Sequence, residues 1–353
     1  YIPEDHLRAH PLYKQLPVVE SIRKLNSFSD LSLFRQSSLQ WNLMHTGRLT
    51  TSRAAGATGM LEKKFARKLG IPDSLSGNGK ARQSFFHLRD ASVFVDLLGA
   101  EKILCGLVES NNSDIHKNDV ETKLLIKQNE EYVSTLEKSL WTKHDEKKNG
   151  KKFAYNYMRN NDKNNVNKKQ NAYNKYNRMA YGNIQEPTAI LVALNHFYKY
   201  NYTIHECGMY AGEALLEKYD NHINNVNTKQ AKHDTKSNIS TYSELQMKQI
   251  EMLKELLKIG CRIGASPDGI IKNNKNQNDV QALEVKNHLN LNKQAYATFE
   301  SMSTWYVVQL QLEMFCIGPN CKSAILVRLS STKGAVIFKM KRDDEYILMM
   351  LKR

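Results

Sequence analysis

Two short stretches of the chain carry the residue types that water-driven ester cleavage needs. The first is Ser266-Pro267-Asp268-Gly269, followed by Ile270 and Ile271. The second is Ala282-Leu283-Glu284-Val285-Lys286. Ser-Pro-Asp-Gly is turn chemistry, because Pro fixes φ and Gly tolerates a positive one. The Asn- and Lys-rich segment from Lys272 to Asp279 reads as a loop, and Gln281 to Val285 as a strand. The spacing therefore predicts a hairpin. Alternate side chains of a strand share a face, so Glu284 and Lys286 point one way while Leu283 and Val285 point to the core. Folding the hairpin back brings Asp268 beside Glu284. Two carboxylates a few ångströms apart repel unless a cation sits between them. Mg²⁺ suits such a place, because it takes oxygen ligands and keeps several waters. A neighbouring Lys positions a water or stabilises charge developing on a phosphate. Singly, each motif is most often structural: the first is usually just a turn, the second a surface ion pair. Together, in this order and each on a strand, they point to a metal-activated water attacking a phosphodiester.

At these residues the chain resembles the restriction-endonuclease-like nucleases, whose core reads Asp…(Asp/Glu)-x-Lys, the PD-(D/E)XK pattern. Three further stretches narrow the resemblance to the lambda-exonuclease, or YqaJ-type viral recombinase, branch. Trp41 to Ser52, with His45, Gly47, Arg48 and Thr50, is similar to that branch's Trp…Gly-x-x-Thr-Ala-Ser opening. Gly182 to Ala189, with Glu186, is similar to its Gly-x-x-x-Glu-x-x-Ala helix. Tyr306 to Met314, with Gln309, is similar to the Gln helix that follows the Glu-x-Lys strand. The stretches occur in the family's order and span most of the chain.

The resemblance implies an α/β, restriction-endonuclease-like fold: a mixed central sheet flanked by helices, with a helical N-terminal part. It implies a metal-dependent deoxyribonuclease, a 5′–3′ exonuclease on double-stranded DNA acting in replication, recombination or repair. An endonuclease or single-strand nuclease of the same fold is the alternative within enzymes, and a non-catalytic nucleic-acid-binding protein the alternative outside them. The metal is Mg²⁺, with Mn²⁺ as substitute, held by Asp268, Glu284, the Val285 carbonyl and Glu186. Lys286 orients water or stabilises charge, and Gln309 joins the site. On the residues alone, Glu186 and Gln309 read as ordinary surface helix positions. The DNA end falls to His45, Arg48, Thr50, Ser52 and Arg53. His45 departs from the family, which commonly has Arg there, and a His is only partly cationic near neutral pH. Glu206 is a weaker site candidate, and Trp41 reads as core. Expected partners are double-stranded DNA ends, further copies of the chain, and a strand-annealing or replication protein, with no membrane.

The elements that must position these residues follow from pattern. Of 353 residues, 41% are hydrophobic, enough for a real core. No apolar run is long enough to span a membrane. The formal charge of +15 favours a polyanion, although part of it lies in Lys/Asn-rich loops. Residues 1–142 read as a helical N-terminal part with the end-binding segment. Short helices are expected over Val18–Leu25 and Asp30–Leu39, a helix opening at Ser52, and amphipathic helices over 85–108 and Lys123–Leu140. Residues 143–178 read as a Lys/Asn-rich low-complexity insert. Residues 179–353 read as the nuclease core, interrupted near 222–241, the whole forming one continuous domain. Within the core, helices are expected over Met179–Tyr200, Tyr242–Ile259, Ser303–Cys316 and 343–353. Strands are expected over Tyr202–Gly212 and as a closing pair, Ala324–Leu329 with Ala335–Met340. The five cysteines are scattered, which argues for reduced thiols in a reducing, intracellular compartment; the resemblance to DNA-processing nucleases implies a nucleus or DNA-bearing organelle. The sequence opens on Tyr1 rather than Met, so a targeting segment is not judged.

Overall fold

A computed structural model describes residues 2–18, 21–22, 27–36, 38, 41, 44–45, 48–73, 75–89, 163–230, 242–276, 278–288, 302–330 and 333–353, with backbone alone at 85–89, 163–179 and 225–230. The chain is mixed α/β. In order, the described elements are α1 (Glu4–Arg8), β1 (Tyr13–Lys14), a 3₁₀ helix (Phe28–Leu33), β2 (Arg48–Thr50), α2 (Thr51–Ala57), α3 (Lys63–Lys68), α4 (Lys80–Arg89) and α5 (Lys163–Phe197). They continue with a further 3₁₀ turn (Tyr198–Tyr200), β3 (Tyr202–His205), β4 (Tyr210–Ala211), α6 (Gly212–Gln230), α7 (Glu244–Lys258), β5 (Arg262–Ala265), β6 (Gly269–Asn273) and β7 (Val280–His288). The last are α8 (Thr304–Ile317), β8 (Cys321–Ser330), β9 (Gly334–Lys341) and α9 (Asp344–Lys352). Among the described residues no helix is long and apolar enough to cross a membrane.

The main sheet has the order β1-β3-β6-β7-β8-β9, and a smaller one the order β2-β5-β4. The main sheet is mixed: β1 runs parallel to β3 and β7 to β8, while the β3–β6, β6–β7 and β8–β9 pairs are antiparallel. This is the mixed sheet flanked by helices that the resemblance implied. The chain passes from the small sheet to the main one at Ser266-Pro267-Asp268. The expected hairpin is β6–β7, with Gly269 opposite Leu283.

Both faces of β7 are covered. Leu283 and Val285 pack with Ala189, Ile190, Ala193, Leu194 and Phe197 of α5. Ala282, on the opposite face, packs with Tyr306, Leu310 and Met314 of α8. Helix α8 buries a second apolar face, since Val308, Leu312 and Phe315 enter a further cluster with the small sheet. Arg342 closes its last turn, donating to the Met314 carbonyl at 2.7 Å and the Gly318 carbonyl at 3.0 Å, while Asp344 holds its Nε at 2.7 Å. A basic group suits these orphan carbonyls at the negative helix end.

Several expectations change. Residues 202–212 alternate like one strand but form two, β3 and β4, in different sheets. The break centres on Gly208, whose N–H donates to the Ser32 carbonyl at 2.7 Å. A Cβ there would stand 2.0 Å from the Phe34 carbonyl oxygen, so only glycine admits this contact. The expected helix over Asp30–Leu39 is a 3₁₀ helix that begins earlier, in a Ser27–Asp30 capping box, and ends as Phe34 turns extended. Thr50 rather than Ser52 precedes α2 as its N-cap residue. Residues 163–178 are helical, the first part of α5. The expected helices over 90–108 and Lys123–Leu140, residues 143–162 of the first insert and 231–241 of the second lie outside the described residues.

Candidate active site

The β6–β7 register carries Asp268, one step before Gly269, to a place opposite Glu284. The Asp268 Oδ2 accepts the backbone N–H of Val285 at 2.6 Å. Glu284 is buried at 3% exposure. Its Oε1 accepts from the Lys286 ammonium and from Gln309 Nε2 of α8 at 2.5 Å. The same amide nitrogen donates to Glu313 Oε1, one helical turn on, at 3.0 Å. Glu313 is fully buried. The second oxygens of both carboxylates, Glu284 Oε2 and Glu313 Oε2, are buried without a partner.

Glu186 reaches the same electrostatic cluster from α5. It precedes Pro187, which cannot donate to the carbonyl one turn back and loosens the helix there. Beside that point, the Gly182 carbonyl accepts from Asn287 Nδ2 of β7 at 2.8 Å, pinning helix to strand.

Burial and mutual repulsion dominate the protonation of these groups. Burial, then the charges of Glu284 and Glu186, hold Asp268 well above the carboxylate range. Burial, then Glu284, push Glu186 up to about 7 and raise Glu313 strongly. Burial works against the charge of Lys286, but Glu284 and Asp268 outweigh it and its pKa is raised. Four carboxylates thus share one ammonium, and a bound cation would relieve their repulsion. The donors are oxygens, which fit Mg²⁺ or Mn²⁺ rather than a soft metal. Among the described residues, no three His, Cys, Asp or Glu side chains close into a ready-made metal cage. The four described cysteines are buried free thiols.

The end-binding candidates divide. Arg48 is wholly buried and ion-paired with Glu213 at 2.5 Å. Solvent and phosphate are shut out there, which corrects its expected role. Thr50 is also buried, its Oγ1 3.3 Å from the Ser52 hydroxyl. Ser52 is exposed and Arg53 half-exposed. His45 is linked to the turn that carries Asp268 through Trp41. Its ring sits 4.6 Å from that of Trp41, and Trp41 Nε1 donates to Ser266 Oγ at 2.9 Å. Gln36 Nε2 donates to the Pro267 carbonyl at 3.1 Å. The segment before β2 therefore braces the turn that carries Asp268, and Trp41 is a bracing residue rather than plain core.

Glu206 is not a bystander either. It accepts from Leu16 N at 2.9 Å and pairs with Arg35 at 2.8 Å, tying the N-terminal segment to the end of β3. Glu313 and Asn287 escaped the sequence reading. For Glu313 a signal existed: in an otherwise apolar helix, Gln309 and Glu313 stand one turn apart on one face, and such groups must find partners. Asn287 had none, because its partner is a backbone carbonyl of a distant helix.

No protein-family model matches the chain, and no curated protein matches it. Among solved structures, an alkaline exonuclease (LHK-Exo) from Laribacter hongkongensis is 12% identical, with 89% of each chain covered and a TM-score of 0.35. The structure titled SSO0001 is 15% identical over 26% of this chain and 39% of its own, with a TM-score of 0.18. At these values neither likeness bears on the chemistry.

Proposed function

We propose that the protein is a metal-dependent nuclease that hydrolyses DNA phosphodiesters as a 5′–3′ exonuclease on double-stranded ends, in replication, recombination or repair. One observation carries the reading: the β6–β7 hairpin sets Asp268, Glu284 and Lys286 together, and α8 adds Gln309 to the same carboxylate. The residues that would hold Mg²⁺ or Mn²⁺ are Asp268, Glu284, the Val285 carbonyl and Glu186. Such an ion supplies a polarised water and a counter-charge for the phosphate. The chain's own groups do the rest. Lys286 remains charged at working pH and is a donor for a phosphate oxygen. Gln309 and Lys286 together fix one oxygen of Glu284 and leave the other for a ligand. His45, Ser52 and Arg53 supply donors for a terminal phosphate. Double-stranded DNA ends are the proposed partner, and a nucleus or DNA-bearing organelle the proposed setting.

The test is a digest of end-labelled duplexes carrying 5′-phosphate, 5′-hydroxyl or no free end, titrated with Mg²⁺ and repeated in EDTA. Stepwise release of nucleotides from the 5′ end, absent in EDTA, is expected. Full activity in chelator would remove the metal from the reading, and binding without cutting at every Mg²⁺ concentration would leave a non-catalytic DNA-binding protein. Release from the 3′ end would refute the polarity alone.

A further inference from the structure

The Gln309 side chain bridges two buried carboxylates, and only one of them has a place in the chemistry above. An amide has two chemically different ends: its nitrogen donates and its oxygen accepts. Glu284 Oε1 and Glu313 Oε1 both accept from Gln309 Nε2, at 2.5 and 3.0 Å. Turning the amide over would set its carbonyl oxygen against both carboxylates. Such a turn would lose both hydrogen bonds, and Glu313 is fully buried on the same helix, one turn away. A leucine would fill its place in an otherwise apolar helix without burying a charge, but would leave the amide with Glu284 as its one carboxylate acceptor. We propose that Glu313 is a positioning residue, which holds the Gln309 amide with its N–H side toward Glu284 and so leaves Glu284 Oε2 as the ligating oxygen. This deepens the nuclease reading, and rests on it only for the use to which the oriented carboxylate is put.

The inference is tested on the full chain with Glu313→Gln, Glu313→Leu, Gln309→Leu and the Glu313→Leu/Gln309→Leu double variant. Glu313→Gln retains a carbonyl that accepts the same hydrogen bond. In the metal-free protein, the Gln309 side-chain amide is assigned in nitrogen-resolved NMR by its loss in Gln309→Leu. Two inequivalent, exchange-protected protons are expected in the parent and in Glu313→Gln. A pair that exchanges faster with solvent is expected in Glu313→Leu. Calorimetric titration with Mg²⁺ should show binding weakened about tenfold in Glu313→Leu, the scale for residues that orient metal ligands. Gln309→Leu should match it, the double variant should be no weaker than either, and Glu313→Gln should stay near the parent. The proposal is overturned if the amide stays protected in Glu313→Leu, if the two leucine variants add in the double, or if Glu313→Gln falls as far as Glu313→Leu. A parent that binds Mg²⁺ but cuts no DNA would sink the nuclease reading and leave the amide and metal results to decide this one.

Discussion

At the scale of single residues, the site crowds four carboxyl groups around one ammonium, and burial with mutual repulsion opposes their ionisation. Asp268→Asn keeps an oxygen for the Val285 N–H and removes a carboxyl whose ionisation the fold disfavours. It should lower cleavage at least about a hundredfold while raising the melting temperature of the metal-free protein at neutral pH, because a repelling carboxylate is gone. Lys286→Met should lose cleavage to a similar degree and lower the melting temperature, leaving Glu284 without its cation. Circular dichroism with a rate assay checks both. Parental cutting by folded Asp268→Asn would refute the assignment. A second group gives a pH signature away from the carboxylates. His288 accepts from Arg328 Nε at 3.1 Å; burial, then Arg328 and Lys286, press its pKa down to about 4. Between about pH 6.5 and 4 the unfolded chain therefore binds more protons at this position than the folded one, so stability rises with pH there. The contribution is complete above the unfolded value and is lost as pH falls toward the folded one. The loss by pH 5 is at most about 2 kcal/mol, less because the ring is only partly buried. His288→Gln should flatten the parent's loss of stability between pH 7 and pH 5 in urea denaturation. An unchanged slope would show that the imidazole titrates freely.

At the scale of elements, the local turn and the distant brace were unequally legible. Pro267, Gly269 and the alternation after Gln281 are local signals, so the β6–β7 hairpin and the pairing of Asp268 with Glu284 could be read from the chain. Residues 202–212 could not, because the alternation of β3 and β4 is continuous and only the docking of Ser32 and Phe34 on Gly208 divides it. Arg48 misled for a related reason. A lone Arg before a hydroxyl-rich segment looks solvated, and its partner Glu213 is far along the sequence. The Gly208 contact can be probed directly. Gly208→Ala places a methyl group where the Phe34 carbonyl stands, an overpacking cost of about 1–3 kcal/mol. The 3₁₀ segment should lift, and with it the support that Gln36 and Trp41 give to the Asp268 turn. Faster limited proteolysis near residues 27–45 and reduced cleavage of DNA are expected together. Retention of full activity despite faster proteolysis would show that the brace does not govern the site.

At the scale of the whole molecule, the proposed function gives a charge of +15 and the carboxylate cluster separate tasks, one to attract a polyanion and the other to cut it. Attraction of this kind weakens with salt, since each neutralised phosphate releases counterions. Recognition of an end asks more, because a 5′-phosphate carries more charge than an internal diester and is selected by convergent donors. The expected set rested on Arg48 and Arg53 together, but Arg48 is sealed against Glu213. Under the proposed function the selection then falls to Arg53, whose planar fork suits phosphate better than an ammonium, with Ser52 next to it in the chain. The two arginines should therefore behave oppositely. Arg48→Met combined with Glu213→Gln removes both buried charges at once, which avoids the roughly 3–5 kcal/mol loss that follows from stranding one. That variant should fold and keep the parent's preference for 5′-phosphorylated over 5′-hydroxyl duplexes. Arg53→Ala should fold and lose most of the preference, and Arg53→Lys should recover only part of it. The measurement is the ratio of initial rates on the two duplexes at one fixed salt concentration. If the Arg48 variant loses the preference while the Arg53 variant keeps it, end recognition runs through the buried pair after all. If the parent shows no preference, these residues do not read the end, whatever the carboxylates do to the strand.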